Sequence, residues 1–240
     1  PPGLPPGPPP PVPARRVQVA DDGNELHIAI GGKEVLGYRY TPMPVPEGVR
    51  PIFSSSAYIH PLRSPGGEVL TRIQPRDHYH HYGIGNPWTH TEFEQRSTDY
   101  WNLSAGQGRV RAVRVLEKDE GDVFGGFRSY HEHVDQRAPG GEKVALNEEW
   151  EVLAWNIPGE RPVWLVDFVS TLMPATEQPF IIKAYRYQGF SIRATEKWGD
   201  ANSRLLTSEG LDKSTANATR ARWIDVNGDS DVAEGSSGIL

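Results

Sequence analysis

Cysteine is absent from this sequence of 240 residues. The absence excludes disulfide bonds, zinc sites built on thiolates and cysteine nucleophiles. It leaves the cellular compartment open, because cytosolic and exported bacterial proteins can both lack cysteine. The localisation is therefore undecided between the bacterial cytoplasm and export.

Long apolar runs and an excess of positive charge are missing as well. No window approaches the roughly 18 consecutive apolar residues that a membrane-spanning helix needs, so we expect no membrane partner. The formal net charge is -6, whereas proteins that bind nucleic acid backbones present clustered Lys and Arg. We therefore expect a soluble protein that does not bind nucleic acid. Its oligomeric state is not indicated by the composition.

Proline dominates the start of the chain, where it fills nine of the first thirteen positions. Such a composition favours a solvated polyproline conformation and supplies few hydrogen-bond donors to a sheet. We predict a disordered tail over 1–13 and a single domain over 14–240. The sequence stops as an apolar run begins at 238–240, which suggests a further strand beyond that point.

Short runs of alternating apolar and polar residues follow the tail and are separated by Gly, Pro and Asp clusters. Period-two alternation with such turn residues indicates antiparallel strands, and no segment keeps the spacing of a long helix. The sequence predicts an all-β fold, an antiparallel two-sheet β-sandwich with few short helices. The proline-rich stretch 41–58 is predicted to be a long connection. The runs lie at 17–19, 26–30, 35–40, 109–116, 123–133, 144–155, 163–172, 180–195 and 221–226.

Histidine is concentrated in one part of the chain. Five of the eight His residues fall within 31 positions, and three of them lie in the segment 77–81, whose sequence is DHYHH. Neutral imidazole transfers protons near pH 7 and can ligate metals. In a strand, His78 and His80 would share one face and His81 would face the other way, whereas a tight loop could bring all three together. Asp77 could fix an imidazole tautomer.

Three interpretations of this segment remain open. The rings can perform catalysis or bind a substrate, they can hold loops together through backbone carbonyls, or they can bind a metal. We predict no metal ligands and no cofactor, because a His-x-His pattern alone is weak and no third ligand is marked by its spacing.

Acid–base chemistry on a small ligand requires an acid and a base, and aromatic surfaces can pack against the ligand. The candidate catalytic residues are therefore His78, His80, His81 and Asp77. The candidate substrate-binding residues are His60, Arg63, Trp88, Trp101 and Arg193. Salt bridges are the alternative for the two arginines, and packing is the alternative for the two tryptophans. Of Glu148 and Glu149, at most one can face a site, since neighbours in a strand point in opposite directions.

The stretch 58–72, followed by 77–84, resembles the soluble bacterial family labelled methane oxygenase PmoA. Shared features are a His-Pro-Leu-Arg run, a Gly-Gly turn, a Thr-Arg pair and the Asp-His-x-His-His motif; further landmarks extend the resemblance over roughly 15–240. The chain departs from the family pattern at Tyr79, where Pro is usual, and at Tyr82, where Arg is usual.

The resemblance implies an all-β fold similar to the galactose-mutarotase supersandwich, whose members isomerise, cleave or bind sugars with His and carboxylates. Methane oxidation is not expected, because the membrane subunit of that name needs spanning helices. We predict a carbohydrate-active epimerase, lyase or hydrolase whose partner is a small-molecule ligand. A non-catalytic carbohydrate-binding module and a metal-dependent oxygenase or hydrolase are the alternatives.

Overall fold

A computed structural model of the chain describes residues 15–159, 163–232 and 235–240. Within them two 3-10 helices, Pro51–Phe53 and Leu103–Ala105, interrupt a series of strands. No helix in these ranges has the length and apolar character needed to cross a bilayer. The predicted tail over 1–13 lies outside the described residues. The strands are β1 (Val17–Asp21), β2 (Glu25–Ile30), β3 (Lys33–Arg39), β4 (Tyr58–Leu62), β5 (Ile84–Gly85), β6 (Thr91–Phe93), β7 (Arg96–Thr98), β8 (Gly108–Asp119), β9 (Phe124–Asp135), β10 (Lys143–Trp155), β11 (Leu165–Pro174), β12 (Phe180–Ile182), β13 (Ser191–Ile192), β14 (Ser203–Thr207), β15 (Ile224–Asp229) and β16 (Ser236–Ile239).

Two antiparallel sheets share the main core. One has the strand order β1-β2-β3-β4-β5-β13, and the other has the order β11-β10-β9-β8. Buried side chains of both sheets form one cluster, in which the rings of Tyr38 and Phe127 stack with centroids 4.4 Å apart. Two three-stranded sheets, β12-β6-β7 and β14-β15-β16, complete the described strands. The prediction of an all-β, sandwich-like fold is confirmed.

The alternation of residue types explains which face of each strand is buried. In β2 the inward residues are Leu26, Ile28 and Ile30, and the residues between them are partly exposed. Strand β10 follows the same period with Trp150 and Val152 inside. Each fully buried side chain of this size stabilises the fold by about 1.5–3 kcal/mol, so these apolar faces hold the two sheets together.

Two predicted segments differ in detail from simple strands. The run 180–195 forms β12 and β13, which are separated by a loop. Strand β12 pairs with β6 over the three residues of each strand. The stretch 41–58 is the predicted long connection, and it contains the helix Pro51–Phe53 and a bridge between Met43 and Ser55. Its end enters the cavity described below.

Candidate active site

The histidine segment 77–81 forms a tight loop. The backbone N–H of Gln74 donates to the carbonyl of His81 at 2.8 Å and closes the loop at its base. Two turns follow inside it, where the N–H of His78 donates to Pro75 at 2.8 Å and the N–H of His81 donates to His78 at 2.9 Å. Of the two conformations that the sequence allowed, the loop is the one adopted, so the three imidazoles lie together.

A glycine fixes the position of this loop against β4. Gly83 has a φ of +43°, and a Cβ at this position would lie 2.0 Å from the carbonyl oxygen of Ile59. Any other residue would therefore push the chain away from β4 and would be strained in the left-handed region. The close approach holds His81, two residues earlier, against the body of the protein.

The imidazoles contact one another. The rings of His78 and His81 stack with centroids 4.7 Å apart and an interplanar angle of 9°, and His80 meets His81 edge-on at 4.5 Å. Asp77 Oδ2 lies 2.8 Å from Nδ1 of His78. Asp77 and His78 are exposed, whereas His80 and His81 are partly buried. The carboxylate of Asp77 therefore contacts the outermost ring, and its role in fixing a tautomer remains a prediction.

A cavity of about 210 Å³ adjoins the inner two rings. The end of the long connection, the histidine loop and the segment after β5 form part of its wall, and the region 100–110 and the start of β13 form the rest. Four of the predicted site residues, His80, His81, Trp101 and Arg193, line it. Trp101 meets the ring of His81 edge-on with centroids 6.1 Å apart.

Both inner imidazoles are held in the neutral form. Burial, followed by the nearby His80 and Arg193, lowers the pKa of His81 to about 3. Burial, followed by the proximity of His78, also lowers the pKa of His80. Within the described residues, Nδ1 of His81 is buried without a hydrogen-bond partner. At neutral pH these rings can therefore accept protons or hydrogen bonds from a ligand.

Three predicted binding residues lie away from this cavity. His60 Nδ1 is 2.9 Å from the hydroxyl of Thr71. Arg63 donates through Nε to Glu34 at 2.5 Å, which is the salt bridge considered as its alternative role. Trp88 packs beside Gly189, where a Cβ would lie 3.0 Å from the indole ring. The structure does not bring these three side chains to the cavity, and their proposed binding role remains a prediction.

A buried polar network lies next to the cavity, and the sequence did not reveal it. Asn86 lines the cavity and donates through Nδ2 to Oε1 of Glu148 at 2.6 Å. The same oxygen accepts from Ser170 Oγ and Trp150 Nε1, each at 2.6 Å, and Oε2 lies 2.8 Å from Nε2 of His133. The side chains of Glu148 and His133 are completely buried.

Glu148 stays ionised in this network. Burial alone would raise its pKa, but hydrogen bonding and charge at His133, together with the amide of Asn86, lower the pKa of Glu148 to about 2. A carboxylate with this many partners holds Asn86 in one orientation at the wall of the cavity. Asn86 is thus a functional candidate that sequence reasoning missed.

A signal for the network was present in the strand pattern. Alternate positions of β9 turn inward, and there Ser129, His131 and His133 replace the apolar residues that such positions normally hold. In β10, Glu148 occupies an inward position, whereas Glu149 points outward and accepts from Arg128 at 2.8 Å. Glu148 and Glu149 therefore point in opposite directions, as the alternation along a strand requires.

In the three ranges that the structure describes, no group of three or more His, Asp or Glu side chains is placed to hold a metal ion. Of the carboxylates near the imidazoles, Asp77 pairs with His78, and Asp99 accepts hydrogen bonds from backbone N–H groups.

Comparison with known proteins gave one match. The model of a family described as "Family of unknown function (DUF6807)" matches residues 25–240. No curated protein and no solved structure matches the chain.

Proposed function

We propose that this chain, which belongs to that family of unknown function, is a carbohydrate-active enzyme in which His80 transfers protons within the cavity. The observation that carries the proposal is the convergence of His80, His81, Trp101 and Arg193 on one cavity from distant parts of the sequence. A base, an aromatic surface and a hydrogen-bonding cation within one small space can together position a sugar and exchange a proton with it.

The two inner imidazoles have different roles in this proposal. A general base works best when its pKa lies near the working pH, and a pKa of about 3 makes His81 a weak base. His81 therefore acts as a neutral hydrogen-bonding group, and His80 accepts the proton from the ligand. The exposed His78, whose ring lies 5.6 Å from that of His80 and is oriented by Asp77, passes the proton to solvent.

The ligand is proposed to be a single sugar unit. The cavity of about 210 Å³ is smaller than the roughly 300–1,000 Å³ of sites that hold drug-sized ligands. Its aromatic lining, with Trp101, Tyr82 and Tyr100, can pack against the apolar face of a sugar ring. The resemblance of 58–84 to the family labelled methane oxygenase PmoA, with its expected likeness to the galactose-mutarotase supersandwich, supports the same class of ligand.

Proton transfer to and from monosaccharides tests the proposal. In D₂O, ¹H NMR would follow both the interconversion of anomers and the exchange of C–H for C–D in glucose, galactose and galacturonate. We expect the wild type to accelerate one of these reactions. We expect His80→Gln to lower the rate by about 100-fold or more, the usual contribution of a general acid or base.

His90→Gln is the matched control, because His90 lies outside the cavity lining and its Nδ1 is 3.4 Å from the carbonyl of Ala184. This variant should keep the wild-type rate. A ligand that binds equally well to wild type and His80→Gln, with no reaction in either, would contradict the enzymatic proposal. The protein would then be the alternative, a carbohydrate-binding module that uses Trp101 and the tyrosines.

A further inference from the structure

The lining of the cavity is biased toward positive charge. The guanidinium of Arg193 lines it, the imidazoles of His80 and His81 beside it are neutral, and no Asp or Glu is among the described residues of the lining. A ligand with a positive charge would meet no counter-charge there, whereas a negative charge would meet Arg193 directly.

Hydrogen bonds fix the backbone of Arg193, whereas its side chain has weak contacts. Its N–H donates to Gly83 at 2.7 Å, and its carbonyl accepts from Arg72 at 3.0 Å. By contrast, its guanidinium contacts Asp77 at 3.5 Å, and 61% of that carboxylate's side chain is exposed. Among the described residues, Nε of Arg193 is buried and has no partner. The hydrogen-bonding capacity of this guanidinium is therefore not filled by the protein.

A second guanidinium strengthens the positive potential. The backbone N–H of Arg72 donates to Arg193, and burial, followed by the charge of Arg72, lowers the pKa of Arg193. Nε of Arg72 is also buried without a partner in the described part of the chain. Its ion contact, to Glu196, is long at 3.8 Å, and the side chain of Glu196 is 81% exposed. Two adjacent guanidinium groups with such weak partners repel each other, and a bound anion would relieve that repulsion.

The other carboxylates close to the cavity are already occupied. Glu148 is fully buried behind Asn86 and accepts four hydrogen bonds from side chains. Asp99 accepts from the backbone N–H groups of Trp101 and Asn102, each at 2.8 Å. Neither carboxylate is free to pair with Arg193.

From these observations we infer that the cavity accepts a sugar that carries an anionic group, and that Arg193 receives this group. The inference rests on the proposed function, because it takes the ligand to be a sugar. A guanidinium binds a carboxylate or a phosphate through parallel N–H donors, so the anion belongs either to a hexuronic acid or to a sugar phosphate.

Three matched probes distinguish these ligands: galactose, galacturonate and galactose 6-phosphate. Calorimetry gives their affinities for the wild type, and NMR of the Arg193 Nε–Hε group reports contact with the anion independently of turnover. We expect at least one acidic probe to bind about tenfold or more tightly than galactose, in line with a hydrogen-bonded charge pair. Added salt should reduce the difference. The acid that binds identifies the source of the anion.

Arg193→Gln should remove the preference for the acidic probe. Arg111→Gln changes the net charge equally but lies outside the cavity lining, where Arg111 pairs with the exposed Glu142 and with Glu132. This control should retain the preference, and thermal unfolding of both variants verifies that they fold.

Equal binding of galactose and both acids, no binding of either acid, or a preference that survives in Arg193→Gln overturns the inference. These outcomes are separable from failure of the proposed function. An acid that binds through Arg193 without any proton transfer rejects the enzymatic proposal and supports the anion site. A neutral sugar that reacts, with no tighter binding of either acid, supports the enzymatic proposal and rejects the anion site.

Discussion

Replacement of Glu148 by alanine tests the buried network beside the cavity. Glu148 is fully buried and accepts hydrogen bonds from Asn86, Ser170, Trp150 and His133 at 2.6–2.8 Å. Alanine removes the common acceptor, so that among the described residues only the amide of Asn86, of the four donor groups, keeps another acceptor, Ser170 Oγ at 3.1 Å. Loss of one member of a buried charged pair typically costs about 3–5 kcal/mol.

Two effects determine where in this range the cost falls. Hydrogen bonds to a charged group contribute about 1.5–3 kcal/mol each, so four independent bonds would exceed the range. They are not independent, since three share one oxygen, and water from the adjoining cavity can reach the donor of Asn86. We therefore expect a loss of about 3–5 kcal/mol in the free energy of unfolding, a large part of the roughly 5–15 kcal/mol of an ordinary domain.

Urea unfolding followed by tryptophan fluorescence measures this loss, and Trp150 reports on the network directly because it donates to Glu148. The matched control is Glu149→Ala. Glu149 is the next residue, but it faces outward and pairs with Arg128, whose side chain is 40% exposed. An exposed pair of this kind contributes at most about 1 kcal/mol. Equal losses in the two variants would refute the view that the network depends on the inward carboxylate.

Two further predictions concern pH and the histidine loop. The pKa of Glu148 is lowered from 4.5 to about 2, so this carboxylate stabilises the fold above pH 4.5 and the contribution disappears as the pH falls toward 2. The difference in the free energy of unfolding between wild type and Glu148→Ala should therefore shrink over that interval. A difference that stays constant would contradict the assignment. Gly83→Ala should destabilise the protein by about 1–3 kcal/mol more than Gly48→Ala in the same urea assay. Both glycines have positive φ, but of the two only Gly83 has a neighbour that an added Cβ would meet, the carbonyl oxygen of Ile59 at 2.0 Å. Similar losses of stability in the two variants would show that this contact is relieved at little cost.

Much of the fold could be predicted because its signals are local. Side chains alternate across a strand with a period of two, so the inward residues of β2 and β10 are visible in the order of the amino acids alone. The pattern does not mark the short strands β4 to β7, β14 and β16, and it extends β12 beyond residue 182. The last residue of β12, Ile182, pairs with Thr91, the first residue of β6. The length of this partner strand cannot be inferred from the segment 180–195 itself.

The candidate site could be predicted in part, for a related reason. The density of histidine in 77–81 located the loop, but sequence spacing left open whether the rings converge. Backbone hydrogen bonds across the loop decided that they do. Arg63 and Arg193 were equivalent candidates in the sequence, yet one pairs with Glu34 and the other reaches the cavity.

The amino-acid sequence by itself determined the class of fold, the long connection at 41–58 and the segment in which imidazoles are concentrated, since each of these depends on residues close together in the chain. Only the tertiary structure decided which side chains meet. Asn86 and Glu148 are 62 residues apart in the sequence but 2.6 Å apart at their hydrogen bond. Contacts of this kind depend on how the sheets pack, so a cavity wall and its buried support are properties of the folded chain.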